Sequence, residues 1–336
     1  MSRSVRAIAL WVVCIVGGAS IAGCAAAPAI LGIHEPPKAN AASAPLTVDQ
    51  ARSILTREFT AAQQGETTTG AAALAAQRTA YTGEGLRAAN ARVKLAKVQP
   101  SLADSPALAP QQPRLLALSR GFGFPRVIVA QTLSSESPLP ILHLLTSPDA
   151  ATPYRISASA TMLLASSVKP FDVLTKGSPL VTDGAGLAVA PIALLNAYAA
   201  GMAFPAKAVT NPPFAADTKA AEVRAGAAQV AQAVASQAGF SRVNKVVANT
   251  VYAVRQAGGD ALVFGVIERT DSFAVKADQA VSTASNKAFV LLTGKKQVTR
   301  SASISTLEFV VFAVPRSSGQ ATLVAASEQV VAGSGS

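Results

Sequence analysis

The amino-acid sequence predicts an α+β fold: two units in tandem, each with N-terminal helices packed on a curved antiparallel sheet. Three observations carry the prediction. Half of the 336 residues are apolar and only 14% are charged, ample for a hydrophobic core. Segments with helical apolar spacing come first and are followed by short β-type runs separated by turn residues. That order then occurs a second time, in units of about 140 residues, the pattern of helices and antiparallel strands segregated along a chain.

The first helix is expected to begin at Thr47, because Thr47-Val48-Asp49-Gln50 matches a capping box, with a hydroxyl at the cap and an amide side chain three residues on. Val48, Ala51, Leu55, Phe59 and Ala62 give it one apolar face, and Gln64-Gly65 is its expected end. A second helical stretch covers residues 70–81, and a third apolar and basic segment continues past Gly83 and Gly85 toward Val98. Residues 100–113 read as a proline-rich loop. Strands are expected at 114–119, 127–133, 141–147 and 154–165, divided by Gly121, Gly123, Pro125, Ser137, Pro138, Pro148 and Pro153. Residues 169–186 are polar and irregular and are expected to link the two units.

In the second unit, residues 187–201 read as a helix with Pro191 in the first turn, where its missing N–H is harmless. Residues 218–237 form a long Ala-rich helix. Strands are expected at 250–256, 261–270, 287–292, 299–314 and 321–331, with Ala257-Gly258-Gly259-Asp260 and Gly294-Lys295-Lys296 as hairpin turns. Two short matches support a duplication: Leu144-Leu145-Thr146 with Leu291-Leu292-Thr293, and Ser157-Ala158-Ser159 with Ser301-Ala302-Ser303. The shared order of elements weighs more than these identities.

This arrangement is similar to the cone-shaped fold of the nuclear transport factor 2 superfamily, present twice. Arg120-Gly121-Phe122-Gly123-Phe124-Pro125-Arg126, Leu142-His143-Leu144-Leu145-Thr146-Ser147-Pro148-Asp149 and Leu307-Glu308-Phe309-Val310-Val311-Phe312-Ala313-Val314-Pro315 resemble segments of uncharacterised lipoproteins of high-GC Gram-positive bacteria. The resemblance implies two tandem cone-shaped domains, over residues 46–168 and 187–332. It implies no function, because that superfamily includes enzymes, carriers and interaction modules.

Residues 1–23 have the features of an export signal: Arg3 and Arg6, an apolar run over 7–16, then small residues. Ile21-Ala22-Gly23-Cys24 has the apolar-small-small-Cys pattern of a bacterial lipoprotein processing site. Cys24 is therefore expected to open the mature chain with a diacylglyceryl group on its sulfur. At ~0.8 kcal/mol per buried methylene, two acyl chains hold a protein on a membrane. A retained membrane span is the competing reading, weakened by Gly17, Gly18, Ser20 and Gly23 in the last third of the run. Residues 24–45, rich in Ala and Pro, then serve as a flexible tether of roughly 25 Å, in which His34-Glu35 is incidental. The expected location is the outer face of the cytoplasmic membrane, facing the cell wall.

Without Arg3 and Arg6, the 29 Lys and Arg fall to 27 against 18 acids, a formal charge of +9. Outside the cytoplasm this favours anionic lipid headgroups or wall polymers over nucleic acid, the alternative being basic residues scattered as solubilising charges. Arg87, Arg92, Lys94 and Lys97 are the densest basic cluster, and Lys287, Lys295, Lys296 and Arg300 a looser second. No cysteine follows Cys24, so the folded part has neither a disulfide nor a thiolate metal site.

Few residues point to chemistry. Arg120-Gly121-Phe122-Gly123-Phe124 opens like the RNA-binding RNP1 pattern, but Pro125 removes a backbone donor from what would be a central strand. A turn with Phe122 and Phe124 as core anchors is the expected alternative. Asp183-Gly184-Ala185-Gly186 is too short for a dinucleotide loop, and Gly294-Lys295-Lys296 lacks the rest of a phosphate loop. His143, the one histidine of the folded part, alternates with Ile141 and Leu145 toward the concave side of its sheet. As a general acid or base it needs a positioned partner, and Asp149, Tyr154 and Glu136 are near only in sequence. The alternative is a half-buried histidine satisfied by backbone. Glu308 interrupts the apolar run 307–314 and alternates either to a solvated outer face or into a pocket, where a carboxylate acts as a base. With one histidine and no thiol, no metal site is expected, and no cofactor is implied.

The leading expectation is a non-catalytic, membrane-anchored extracytoplasmic lipoprotein that binds a ligand or an envelope partner. Its partners are the membrane, through lipid on Cys24, and an anionic envelope component or envelope protein, with no nucleic acid. One alternative is an enzyme acting in a cone-shaped pocket through His143 or Glu308. The other is a structural or assembly factor with filled cores and a working exterior.

Overall fold

The computed structural model describes residues 42–96, 111–134, 137–207 and 209–336. The export signal, Cys24, His34, Glu35, Lys97, Glu136 and most of the tether and proline-rich loop lie outside the described residues.

Three helices come first: α1 (Val48–Thr67), α2 (Gly70–Ala80) and α3 (Gly83–Ala96). Thr47 caps α1 as expected. Its Oγ1 accepts from the Gln50 N–H at 3.2 Å, and Gln50 Oε1 accepts from the Thr47 N–H at 2.9 Å. Ala51, Leu55, Phe59 and Ala62 are its buried stripe. The helix runs through Gly65 instead of ending there, because this glycine serves close helix approach: a Cβ on it would meet Gln77 Cγ of α2 at 2.7 Å.

Strands β1 (Gln111–Leu118), β2 (Arg126–Ser134), β3 (Ser137–Ser147) and β4 (Arg155–Thr161) form an antiparallel sheet in that order. β4 ends earlier than the apolar run suggests because the next residues cross to the second half. Met162 bridges Ala325, and the Leu163 N–H donates to the Val324 carbonyl at 2.9 Å.

Helices α4 (Pro191–Gly201) and α5 (Thr218–Val234) precede the second half's strands. These are β5 (Ala238–Val246), β6 (Tyr252–Arg255), β7 (Ala261–Val275), the short β8 (Val281–Ser282), β9 (Gln297–Val298) after helix α6 (Lys287–Thr293), β10 (Ser301–Val314) and β11 (Thr322–Gly335). The second sheet runs β11-β10-β7-β5, all antiparallel, with β6 also paired to β7, and β8 pairs β9.

Two expectations are corrected here. Residues 287–292 are a helix, not a strand: Asn286 Oδ1 accepts from the Phe289 N–H at 2.9 Å, and Gly294, at φ 71°, ends the helix in the left-handed region. Gly294-Lys295-Lys296 is thus a helix end and not a hairpin turn. The Leu-Leu-Thr match then pairs a strand with a helix and gives no support to a duplication. β5 was not expected at all, because its inward positions include Arg242, buried under α5, while Val243 is exposed; the apolar alternation that marks a strand is inverted there.

Alternating residues sort the apolar side chains into three main clusters. Val127, Val129, Leu142 and Leu144 of the first sheet meet Leu262, Phe264, Val266, Leu307 and Phe309 of the second, so the two sheets pack face to face. The opposite face of the first sheet, with Ile128, Ile141, Leu145 and Ile156, packs on Leu55 and Phe59 of α1. The opposite face of the second, with Val263, Ile267, Val310 and Phe312, packs on Leu194, Leu195 and Tyr198 of α4. The order of layers is helices, sheet, sheet, helices. The segment 169–186 is pinned to both sheets: the Ser178 N–H donates to Leu118 at 2.7 Å and the Val181 N–H to Ala253 at 2.9 Å.

Gly265 on β7 faces α4, where a Cβ would lie 2.3 Å from Leu195 Cδ1, and Leu195 is itself fully buried. Gly265→Ala is therefore expected to destabilise the protein by about 1–3 kcal/mol through overpacking, read as a lower urea midpoint at unchanged slope.

Candidate functional site

His143 stands on β3 between Ala130 and Ser159 of the neighbouring strands and points toward α1, on the face shared with Ile141 and Leu145 as strand alternation predicts. It is fully buried. Its Nε2 is 2.8 Å from Thr132 Oγ1, its Nδ1 2.9 Å from Ser159 Oγ, and its ring lies edge-on to Phe59 at 4.8 Å. Two hydroxyls, not the backbone, satisfy it. Burial, aided by the Arg92 charge, pushes its pKa down to about 3, so the ring is neutral at physiological pH. The acids and phenol near it in sequence do not join it. Asp149 closes an exposed turn, accepting from the Ala151 and Thr152 N–H groups at 2.9 and 2.8 Å. Tyr154 is buried elsewhere in the helix-facing core, and Glu136 lies outside the described residues.

Glu308 lies on β10, on the helix-facing side of the second sheet, and is 3% exposed. The expectation of a solvated outer position is corrected: the residue sits inside a charge network. Arg269 binds Glu308 and, at 3.1 Å, Glu328, to which Lys219 of α5 also extends at 3.3 Å. Arg242 grips Asp271 through two nitrogens, the second at 2.8 Å, and donates to the Val223 carbonyl of α5 at 2.7 Å. Burial pushes the Glu308 carboxyl up while Arg269 draws it back. For Glu328 burial acts in the same upward direction, but Arg269 and Lys219 together outweigh it and hold that carboxyl below the usual range. Sequence reading singled out Glu308 without its partners. The signal available was Arg269-Thr270-Asp271, two opposite charges two residues apart on one strand face.

In the first basic cluster, Arg87 and Arg92 are taken up by ion pairs while Lys94 is exposed. Arg92 is buried against Glu66 and Tyr81, and Arg87 bridges Glu84 at 2.6 Å and Glu268 at 3.0 Å across the two halves. Lys287, Lys295, Lys296 and Arg300 are exposed around α6 and β9.

Between α3 and the edges of β4 and β11 is a cavity of about 30 Å³ lined by Tyr81, Arg92, Ser159, Phe309 and Ser327, room for about one water. Larger grooves are open to solvent. One of about 560 Å³ borders Arg114, Met162 and Lys169, one of about 480 Å³ borders Leu46, Phe124 and Arg126, and one of about 460 Å³ borders Phe214, Asp217 and Arg224. Neither His143 nor Glu308 lines any of these four spaces. Among the described residues, no helix is long and apolar enough to cross a membrane.

Residues 177–335 match a family described as "Domain of unknown function (DUF8094)", somewhat under half of the chain and covering α4, α5 and the second sheet. No curated protein and no solved structure matches the chain.

Proposed function

We propose that this is a lipid-anchored, extracytoplasmic, non-catalytic protein that works through its exterior, binding an envelope component or protein. The observation that carries the reading is the sealing of both proton-transfer candidates: His143 is held neutral between two hydroxyls, and Glu308 is locked to Arg269 beneath α5. A general acid or base must reach a substrate proton within hydrogen-bond distance, and among the described residues neither side chain lines any of the four spaces above. The anchor rests on the Ile21-Ala22-Gly23-Cys24 pattern. The exposed Lys287, Lys295, Lys296 and Arg300 suit an anionic envelope partner.

We read the two halves as copies of one cone-shaped unit. In support, each has helices followed by an antiparallel sheet in sequential order, and His143 and Glu308 occupy the helix-facing side of the third main strand in each.

The test is metabolic labelling with an activity screen. Cys24→Ser is expected to abolish incorporation of labelled fatty acid into the protein, and purified protein to turn over no ester, glycan or phosphoester. Labelling that persists in Cys24→Ser contradicts the anchor; turnover lost in His143→Gln contradicts the non-catalytic assignment.

A further inference from the structure

The chain enters its folded body at one defined place. The Gly121 N–H donates to the Ser43 carbonyl at 2.9 Å, and the Ala44 N–H donates to the Thr175 carbonyl at 3.1 Å. The entry point is thus held between two loops, 120–126 and 172–177. Those loops are clamped to each other: Arg120 pairs with Asp172 and donates to the Gly177 carbonyl at 3.0 Å, and Lys176 pairs with the same Asp172 at 3.3 Å.

The same loops carry apolar side chains that the fold leaves in solvent. Phe122 and Phe124, expected as core anchors, are 40% and 39% exposed, and Val173 is 69% exposed. Phe122 through Pro125 is a continuous exposed run. Arg126 braces it from behind, donating to the Phe122 carbonyl at 2.8 Å and lying over the Phe124 ring at 4.2 Å. Phe124 and Arg126 border the groove that also holds Leu46, Arg57 and Tyr154, with Asp149 the acid on its rim.

We propose that this entry face is a membrane-contact surface, in which Phe122, Phe124 and Val173 insert into the interface of an anionic bilayer while Arg126 and Lys176 lie at headgroup level. The proposal rests on the lipid anchor for its geometry. Residues 25–41 span at most about 60 Å even when fully extended. The loops beside Ser43 are therefore the part of the body that the leash brings nearest the bilayer. Rings with an adjacent cation are the chemistry that settles at a lipid–water boundary: the ring gains from the acyl region, and the guanidinium or ammonium gains from anionic headgroups. An anchor plus such a contact fixes the orientation of the body, turning the remaining exterior outward toward the wall.

The test uses the mature chain with Cys24→Ser, so that lipid plays no part, mixed with vesicles of equimolar phosphatidylglycerol and phosphatidylcholine. The chain is expected to cosediment with them, and Phe122→Ser with Phe124→Ser to weaken partitioning at least about tenfold. Phosphatidylcholine alone is expected to bind less. Absence of vesicle binding, or binding that ignores both substitutions, overturns the proposal, as does a Phe-dependent dimer with no vesicle binding, which would make the patch a self-association surface. A second reading keeps the full lipidated protein. Gly123 and Gly226 each have open space where a Cβ would stand. Fluorophores on Gly123→Cys and Gly226→Cys report depth, and headgroup-level quenchers are expected to act at 123 and not at 226. Equal quenching at both sites contradicts the proposal, whereas loss of the anchor alone would leave the vesicle result intact.

Discussion

Lowering the pH through the range from about 6.5 to about 3 will strip stability from this protein through His143. The folded pKa is depressed to about 3 by burial, whereas an unfolded histidine titrates near 6.5. Above 6.5 both states hold a neutral ring and the histidine contributes no pH dependence. Between the two values the unfolded chain takes up a proton that the folded chain refuses, and stability falls by up to about 1.4 kcal/mol per pH unit. Below about 3 the folded ring also protonates and the slope vanishes. Arg92 is the charged group that acts on the ring, and Thr132 and Ser159 supply its hydrogen bonds. Other carboxylates contribute their own acid dependence, so the expected result is a difference: urea midpoints across pH should fall more steeply for the natural protein than for His143→Gln, which keeps a donor and an acceptor without titrating. Parallel pH profiles would show that the histidine is not held neutral.

The second large effect is expected at Arg269. Its guanidinium serves Glu308 and Glu328, which face each other directly across β10 and β11. Arg269→Met leaves those two carboxylates adjacent, one of them almost fully buried, with the Lys219 ammonium 3.3 Å from Glu328. Breaking a buried pair by removing one partner costs about 3–5 kcal/mol, because the remaining charge is uncompensated. Arg269→Lys should recover only part of it, since an ammonium cannot fork between two carboxylates as a guanidinium does. Arg87→Ala is the contrast. That arginine also joins two acids across the halves, but its side chain is 43% exposed, and its loss should cost about 1 kcal/mol or less. Equal losses at Arg269 and Arg87 in urea unfolding would contradict the burial argument.

Much of the local structure was legible because local rules set it. The capping box at Thr47, Pro191 in the first turn of α4 and the Gly258-Gly259 turn between β6 and β7 each behave as residue chemistry dictates. The face-to-face packing of the sheets was not legible. β3 is apolar on both faces, Leu142 and Leu144 on one and Ile141 and Leu145 on the other, so alternation alone does not say which side meets a helix and which a second sheet. α6 was mistaken because six apolar or long residues suit either state, and the deciding signals were the single residues Asn286 and Gly294 at its ends.

The candidate site divides the same way. The direction of His143 followed from strand periodicity. Its partners did not, because Thr132 and Ser159 come from two other strands whose register is broken by shifts on β2, β3 and β4. Glu308 was noticed as a charge inside an apolar run, but its answering charges lie on β7, β11 and α5, far away in sequence. Phe122 and Phe124 reversed the ordinary expectation for aromatic residues, and their exposure is the observation from which the membrane-contact proposal starts.

The proposed anchor at Cys24 underlies the proposed location, the proposed orientation of the entry face and the proposed partners. Intact-mass and peptide mass spectrometry of the protein isolated from its own membranes tests it most directly. The account predicts a first residue Cys24 bearing a thioether-linked diacylglyceryl group, with residues 1–23 gone. A chain beginning at Met1 with an unmodified Cys24 thiol would contradict it.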